Sequence, residues 1–137
     1  MVINMLKVEE VKEKKKLLLH CCCAPCSSYS FLFLKDKFDI TSFFYNPNIM
    51  PTDEHDKRLL ELKRLIKEME LSISVIEEYD NSFLDAIKGL ENEPERGNRC
   101  TICYELRLRK CALLAKSLGF DCLVQHYLFH HIKMLKD

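Results

Sequence analysis

Six of the eight cysteines in this chain lie in two short segments. The first segment reads His20-Cys21-Cys22-Cys23-Ala24-Pro25-Cys26, and the second reads Arg99-Cys100-Thr101-Ile102-Cys103-Tyr104. Thiolates are the ligands that iron–sulfur clusters and zinc prefer, and a C-x-x-C spacing brings two sulfurs close together. The two segments therefore predict either a soft-metal site or a redox-active thiol site.

The first segment is expected to form a loop. Adjacent cysteines such as Cys22 and Cys23 point in different directions, so they can bind one compact cluster only where the backbone bends. Ala24-Pro25 is expected to supply the bend, because proline fixes its own φ and disfavours helix in the preceding residue. Cys26 is then expected to return to the same neighbourhood.

Composition indicates a reduced setting for these thiols. Residues 1–16 are rich in lysine and glutamate and contain no apolar stretch typical of an export signal. No run approaches the roughly 18 to 20 apolar residues of a membrane span. We therefore expect a cytoplasmic protein with no membrane partner, in which clustered cysteines bind metal or act in catalysis. The formal net charge of zero argues against nonspecific coating of nucleic acid.

The length of 137 residues and an apolar content of 47% fit one α/β domain over residues 1–137, with an N-terminal extension at 1–14 and an atypical tail at 125–137. Hydrophobic patterns predict strands at 16–19, 40–45, 71–76 and 120–124, and helices at 27–34, 52–69, 82–88 and 103–118. This alternation predicts a three-layer, Rossmann-like or HUP-like α/β fold with a mainly parallel sheet and helices on both faces, incomplete at the C-terminus. Ligands bind beyond the carboxyl ends of parallel strands, so the first cysteine segment is expected at the binding edge.

Several motifs follow one another in a fixed order along the chain. They are Leu17-Leu18-Leu19-His20 with Cys22-Cys23-Ala24-Pro25-Cys26, then Phe44-Tyr45-Asn46-Pro47-Asn48-Ile49, then Glu93-Pro94-Glu95-Arg96-Gly97, and then Arg99-Cys100 with Cys103-Tyr104 and Arg107-Leu108. In this order they resemble the cobalamin-independent epoxyqueuosine reductase family. The resemblance covers the chain from about residue 14 to Asp121.

The resemblance implies an oxidoreductase of tRNA queuosine biosynthesis, which converts epoxyqueuosine to queuosine at the wobble position of tRNA. It implies a [4Fe-4S] cluster bound by Cys22, Cys23, Cys100 and Cys103. It also implies an additional mononuclear metal ion, for which Cys26 is our candidate ligand and catalytic residue, with Asp80 as a candidate oxygen ligand. The implied partners are a tRNA carrying epoxyqueuosine and an unidentified electron donor.

Polar residues near the two segments are candidates for substrate contacts. Asn46 and Asn48 follow the second predicted strand, where they either hydrogen-bond the nucleoside or form an ordinary turn. Arg96 and Arg99 either grip tRNA phosphates or, together with Arg107, offset the negative charge of a thiolate-ligated cluster. The residue types alone leave both choices open.

Two features leave alternatives open for the whole chain. Cys100-x-x-Cys103 taken alone is equally typical of structural zinc, and the alternative function is a zinc-stabilised α/β RNA-binding module without redox activity. After Asp121 the residues do not resemble the ending of the family, which carries a Cys-Gly-Cys segment. We expect that a frameshift or premature stop replaced this ending; a genuinely short variant and an incomplete gene model would produce the same sequence. An inactive truncated product is a third function class.

Overall fold

A computed structural model describes residues 14–93, 97–125 and the short strand Lys133–Met134. The strands are β1 (Lys15–His20), β2 (Phe38–Tyr45), β3 (Ser74–Glu78), β4 (Cys122–Gln125) and β5 (Lys133–Met134). The helices are α1 (Ala24–Leu34), α2 (Thr52–Glu68), α3 (Ser82–Ala86) and α4 (Asn98–Leu118). Most of the predicted N-terminal extension at 1–14 and most of the tail at 125–137 lie outside the described residues.

The strands form one sheet in the order β3-β2-β1-β4-β5. The four strands from β3 to β4 are parallel, and β5 pairs antiparallel with β4. Leu17 of β1 is in register with Ile40 on one side and with Cys122 on the other. The predicted mainly parallel sheet is confirmed.

Alternate residues of β1 point to opposite faces of the sheet, and each face packs against its own set of helices. Leu17 and Leu19 pack into the cluster that includes Phe31 of α1 and Leu62 of α2. Leu18, on the opposite face, packs into a second cluster with residues of α4. A central strand buried on both faces reads as a continuous apolar run, as Leu17 to Leu19 does. Helices therefore cover both faces, as the sequence predicts.

The expected loop after β1 is confirmed for Cys21 to Cys23 but wrong beyond them, because α1 begins at Ala24. Pro25 lies in the first helical turn, where a missing N–H costs no hydrogen bond and the fixed φ of proline suits a helix. The hydroxyls of Ser27 and Ser28, inside this helix, donate to the carbonyls of Cys23 and Pro25. Cys26 is consequently a helical residue of the first turn.

The ends of α2 and α4 share one geometry. Gly119 has φ +76°, and the next amide, of Phe120, donates to the carbonyl of Ala115. Glu70 has φ +52°, and the next amide, of Leu71, donates to the carbonyl of Ile66. Both are Schellman endings, and the predicted end of the last helix at residue 118 is confirmed. The α2 ending occupies Leu71, which explains why β3 begins three residues later than predicted.

Helix α4 begins at Asn98, five residues before the predicted start, and it includes both cysteines of the second segment. It precedes β4 and packs against the same sheet, so it runs back from the carboxyl ends of the parallel strands. Its first turns therefore lie at the edge where β1 delivers the first cysteine segment. In the part of the chain that the structure describes, no helix combines the length and apolarity needed to cross a bilayer.

Candidate active site

All eight cysteines are reduced, but they occupy different environments. Cys21 extends β1, because its amide donates to the carbonyl of Phe43 at 3.0 Å. Its fully buried thiol accepts a hydrogen bond from Ser42 Oγ at 3.0 Å and donates to the carbonyl of Leu19. Burial is the main cause that raises the pKa of Cys21 to about 11. Cys21 is therefore a neutral residue of the core.

The other three thiols of the first segment form a chain of contacts. Cys22 and Cys23 are half-buried, Cys26 is exposed, and the thiol of Cys23 hydrogen-bonds with those of both neighbours. Burial and then the neighbouring Cys23 raise the pKa of Cys22 to about 12, and the hydrogen bond with Cys23 and then burial raise the pKa of Cys26. Cys22 and Cys26 are therefore thiols at neutral pH. A bound cation ionises such groups outright, because coordination replaces the proton.

The second segment is helical. The amide of Cys100 donates to the carbonyl of Gly97 at 3.1 Å, in the first turn of α4. Residues three apart share one helix face, so Cys100 and Cys103 point to the same side. Cys100 is half-buried and Cys103 is buried, and burial is the main cause that raises the pKa of Cys103.

Arg107 is a buried cation beside the second segment. Its side chain is only 6% exposed, and its Nε donates to the carbonyl of Cys103 at 3.4 Å. Its guanidinium opposes the effect of burial on the pKa of Cys103 and acts in the same sense on Cys22. The sequence contains the signal for this placement, because Cys100, Cys103 and Arg107 are spaced by three and four residues along one helix face. That signal is readable only once α4 is known to begin at Asn98.

The donor set fits an iron–sulfur group in its chemistry. It offers four soft thiols, two directly after β1 and two in the first turns of α4, and thiolates are the usual ligands of such clusters. Within the described residues, no three His, Cys, Asp or Glu side chains are arranged to hold one metal ion. A cubane differs from a single ion, because each thiolate binds a different iron and the ligands stand farther apart.

Asn46 supports the first segment from the neighbouring strand. Its side chain is 0% exposed, and its Nδ2 donates to the carbonyl of Cys21 at 2.9 Å. Its Oδ1 and the Oδ1 of Asn48 are buried and accept no hydrogen bond from the described residues. Asn46 therefore ties the turn after β2 to the cysteines, while Asn48 offers a spare acceptor close by.

Of the two arginines predicted to contact substrate, the structure describes Arg99. This residue, in the first turn of α4, donates from Nη2 to the carbonyl of Glu93 at 3.0 Å. Its Nε is buried and has no acceptor among the described residues. Arg96 lies outside the described residues. The structure therefore locates one of the two arginines, beside Cys100 at the start of α4.

The carboxylate of Asp80 accepts several hydrogen bonds that the sequence does not predict. It accepts hydrogen bonds from Tyr45 Oη at 3.0 and 3.2 Å, from Ser82 Oγ at 2.6 Å and from the Ser82 amide at 3.1 Å. Burial alone would raise the pKa of Asp80, but the hydrogen bonds from Ser82 and Tyr45 outweigh it and lower the pKa. The carboxylate thus joins β2 to the start of α3.

Residues 17–136 match the family model described as epoxyqueuosine reductase QueH. The match extends past Asp121, the residue at which the resemblance in the sequence ends. Proteins named epoxyqueuosine reductase QueH include one from Streptococcus pyogenes serotype M1, 37% identical over 125 residues, which cover 86% of this chain and 49% of that protein. Another, from Staphylococcus epidermidis, is 41% identical over 117 residues, which cover 80% of this chain and 49% of that protein. The chain spans about half the length of these curated relatives.

The fold has a counterpart among solved structures. The NH3-dependent NAD synthetase from Campylobacter jejuni, in complex with the nitrate ion, superposes with a TM-score of 0.53 at 14% identity. The superposition covers 89% of this chain and 51% of the synthetase. At this identity the likeness concerns the fold alone, and it confirms the predicted Rossmann-like, HUP-like architecture.

Proposed function

The chain belongs to the epoxyqueuosine reductase QueH family, and on this premise we propose that it reduces epoxyqueuosine to queuosine in tRNA. The reaction removes the epoxide oxygen as water and leaves an alkene, so it consumes two electrons and two protons. The observation that supports the proposal is the topology: the first cysteine segment follows β1 directly, and the first turns of α4, which carry the second segment, lie at the same edge of the parallel sheet.

We assign a [4Fe-4S] cluster to Cys22, Cys23, Cys100 and Cys103. Cys22 and Cys23 hydrogen-bond with each other, and Cys103 lies on the face of α4 that also carries Arg107. When bound, the cluster supplies electrons one at a time, and an additional metal ion supplies a Lewis acid for the departing oxygen. Cys26 is our candidate ligand for that second ion, because it is exposed and its thiol contacts Cys23.

The remaining residues of the edge position the substrate. Asn48 and Arg99 each carry a buried polar atom with no partner among the described residues, and such atoms are costly unless a ligand or water satisfies them. We assign them, with Arg96, to contacts with the nucleoside and the tRNA backbone. Asn46 holds the cysteines in place through its bond to the Cys21 carbonyl.

The partners follow from the reaction. A tRNA carrying epoxyqueuosine is the substrate, and an electron donor must reduce the enzyme again after each turnover. Clustered thiols remain available to bind metal in a reducing compartment, and a tRNA-modifying enzyme acts where its tRNA is found, so we propose a cytoplasmic location.

Anaerobic reconstitution with iron and sulfide tests the proposal. We expect a broad iron–sulfur absorption, about four irons per chain, and conversion of epoxyqueuosine-containing tRNA in a single turnover with a chemical reductant. Cys103→Ala should abolish iron uptake, whereas Cys111→Ala is the matched control, since Cys111 is a buried cysteine of the same helix packed in the core.

Two outcomes would refute the proposal. One is a colourless protein with stoichiometric zinc, which is the result expected of a zinc-stabilised RNA-binding module. The other is a fully loaded protein that leaves the epoxide intact in the single-turnover assay while the control relatives convert it.

A further inference from the structure

Helix α1 turns an apolar surface to solvent. None of its 11 residues is charged. Phe31 packs into the core, whereas Tyr29, Leu32 and Phe33 on the other side of the helix are 63%, 52% and 48% exposed. A surface helix of a soluble protein usually exposes a polar face, and an exposed apolar patch marks an interaction site. We call Tyr29, Leu32 and Phe33 the outer face of α1.

The outer face is continuous with the first cysteine segment. Cys26, Tyr29 and Phe33 are spaced by three and four residues, so they share one side of the helix, and Cys26 is exposed. At a rise of about 1.5 Å per residue, Tyr29 lies about 4.5 Å and Phe33 about 10.5 Å along the helix axis from Cys26. The groups that adjoin a substrate bound at Cys26 therefore lie next to these two rings.

The chemistry of the outer face suits single-stranded RNA. The rings of Tyr29 and Phe33 stack on each other, with centroids 6.3 Å apart and planes inclined by 19°. The exposed Lys37 lies just beyond the helix, with its Nζ 4.7 Å from the centre of the Phe33 ring. Proteins bind single-stranded RNA with exposed rings, on which bases stack, and with cations, which pair with phosphates. Because α1 itself carries no carboxylate, it does not repel a phosphate backbone.

We propose that the outer face of α1 stacks against the bases that flank the modified nucleotide in the anticodon loop of the tRNA, with Lys37 beside the backbone. The inference rests on the proposed function, because it takes the wobble base of a tRNA as the group that enters the site. Bases in a loop are unpaired and present their faces to a protein. Successive nucleotides are about 3.4 Å apart along a strand, so neighbours one to three positions from a base at Cys26 lie opposite Tyr29 and Phe33.

Fluorescence anisotropy tests the proposal with the reconstituted full chain and two labelled RNA probes. One probe is an anticodon stem–loop, and the other is a duplex of the same length without a loop. Tyr29→Ala and Phe33→Ala each remove one ring, Tyr29→Leu keeps apolar bulk without a ring, and Tyr29→Phe keeps the ring. Leu32→Ala is the matched control, because Leu32 is an exposed apolar residue of the same face that has no ring. Thermal unfolding and iron per chain are measured for every variant.

The stem–loop should distinguish the ring variants from the others. We expect Tyr29→Ala, Tyr29→Leu and Phe33→Ala each to raise the Kd for the stem–loop about tenfold, which is the effect of removing one base–aromatic stack. Tyr29→Phe and Leu32→Ala should stay within about twofold of the wild type, since neither removes a ring. The Kd for the duplex should be the same in all of these proteins, because paired bases are not available for stacking.

The outcomes separate this inference from the proposed function. A wild-type chain that binds the stem–loop no better than the duplex refutes the stacking surface, whatever the cluster does. A wild-type chain that takes up no cluster refutes the proposed function, while a tenfold loss in Tyr29→Ala still supports the surface.

Three results overturn the stacking surface alone. They are a wild-type Kd in the ring deletions, an equal loss in Leu32→Ala, and a dimer of the wild type that Tyr29→Ala dissociates without changing the Kd for RNA. The last result would identify the outer face as an interface between two copies of this chain. If Tyr29→Ala does not fold, Tyr29→Leu decides: a tenfold loss supports the proposal, and a wild-type Kd overturns it.

Discussion

Asn46 and Asn48 lie two residues apart in one turn, yet the structure predicts that replacing Asn46 costs much more stability than replacing Asn48. Asn46 is fully buried, and its Nδ2 donates to the carbonyl of Cys21 at 2.9 Å. Asn48 is half-exposed, and its buried Oδ1 accepts nothing from the described residues. Asn46→Ala removes a donor that a buried carbonyl needs, whereas Asn48→Ala removes an acceptor that is already unsatisfied.

The size of the difference follows from the hydrogen bond. A buried polar group left without its partner costs about 1 to 3 kcal/mol, and the shortened side chain adds a small cavity. We expect Asn46→Ala to lower the free energy of unfolding by about 2 to 3 kcal/mol. For a domain of this length that corresponds to a fall in Tm of roughly 6 to 12 °C. Asn48→Ala should change the free energy of unfolding by less than about 0.5 kcal/mol.

Urea denaturation followed by circular dichroism measures both values, and iron uptake measures the effect on the cysteines. Asn46→Ala should also bind less iron, because the Cys21 carbonyl anchors the first segment. Asn48→Ala should load normally and bind epoxyqueuosine-containing tRNA more weakly. Equal losses of stability in the two variants, or a shift in Tm under about 2 °C for Asn46→Ala, would refute the reasoning.

Two further predictions concern stability. Tyr45→Phe removes a hydroxyl that donates to Asp80, whose pKa is lowered from its ordinary 3.8 because hydrogen bonds from Ser82 and Tyr45 outweigh burial. A carboxyl whose pKa is lower in the folded chain than in the unfolded chain stabilises the fold at pH values above the unfolded pKa. That stabilisation is lost as the pH falls through the folded pKa. The variant should therefore cost about 1 kcal/mol at pH 7 and less at pH 3, in urea melts at both values; equal costs would contradict this account. The two Schellman endings should respond in opposite directions. Gly119→Ala should destabilise by about 1 kcal/mol and Glu70→Gly should stabilise by about 0.5 to 1 kcal/mol, because only glycine adopts positive φ without strain. Thermal melts of the two variants that move in the same direction would rule this out.

Local patterns account for the parts of the fold that the sequence predicts correctly. The run Leu17-Leu18-Leu19 is apolar without alternation, which is typical of a strand covered on both faces, and β1 is the central strand. Gly119 stops α4 because a left-handed residue ends a helix, and glycine has no steric cost there. The order of strands and helices then leaves a parallel sheet with right-handed crossovers as the simplest arrangement.

Helix starts are predicted less well, because the signals at those positions support two structures. Pro25 is compatible with a bend and also with the first turn of a helix, and α1 uses it in the second way. Asn98 carries no apolar signal, so periodicity places the start of α4 at Cys103 rather than at the residue where the backbone turns helical. The difference matters chemically, since it moves Cys26 and Cys100 from loops onto helices.

The amino-acid sequence by itself determined the identity and spacing of the thiols, the alternation that produces the sheet, and the family to which the chain belongs. Only the tertiary structure decided which polar groups are buried beside those thiols. Arg107 reads as one of several surface cations, and Asn46 reads as a turn residue, until the crossovers bring α4 and β2 against the end of β1. The physical reason is that burial and long-range electrostatic contact depend on which elements pack together, and no window of neighbouring residues contains that information.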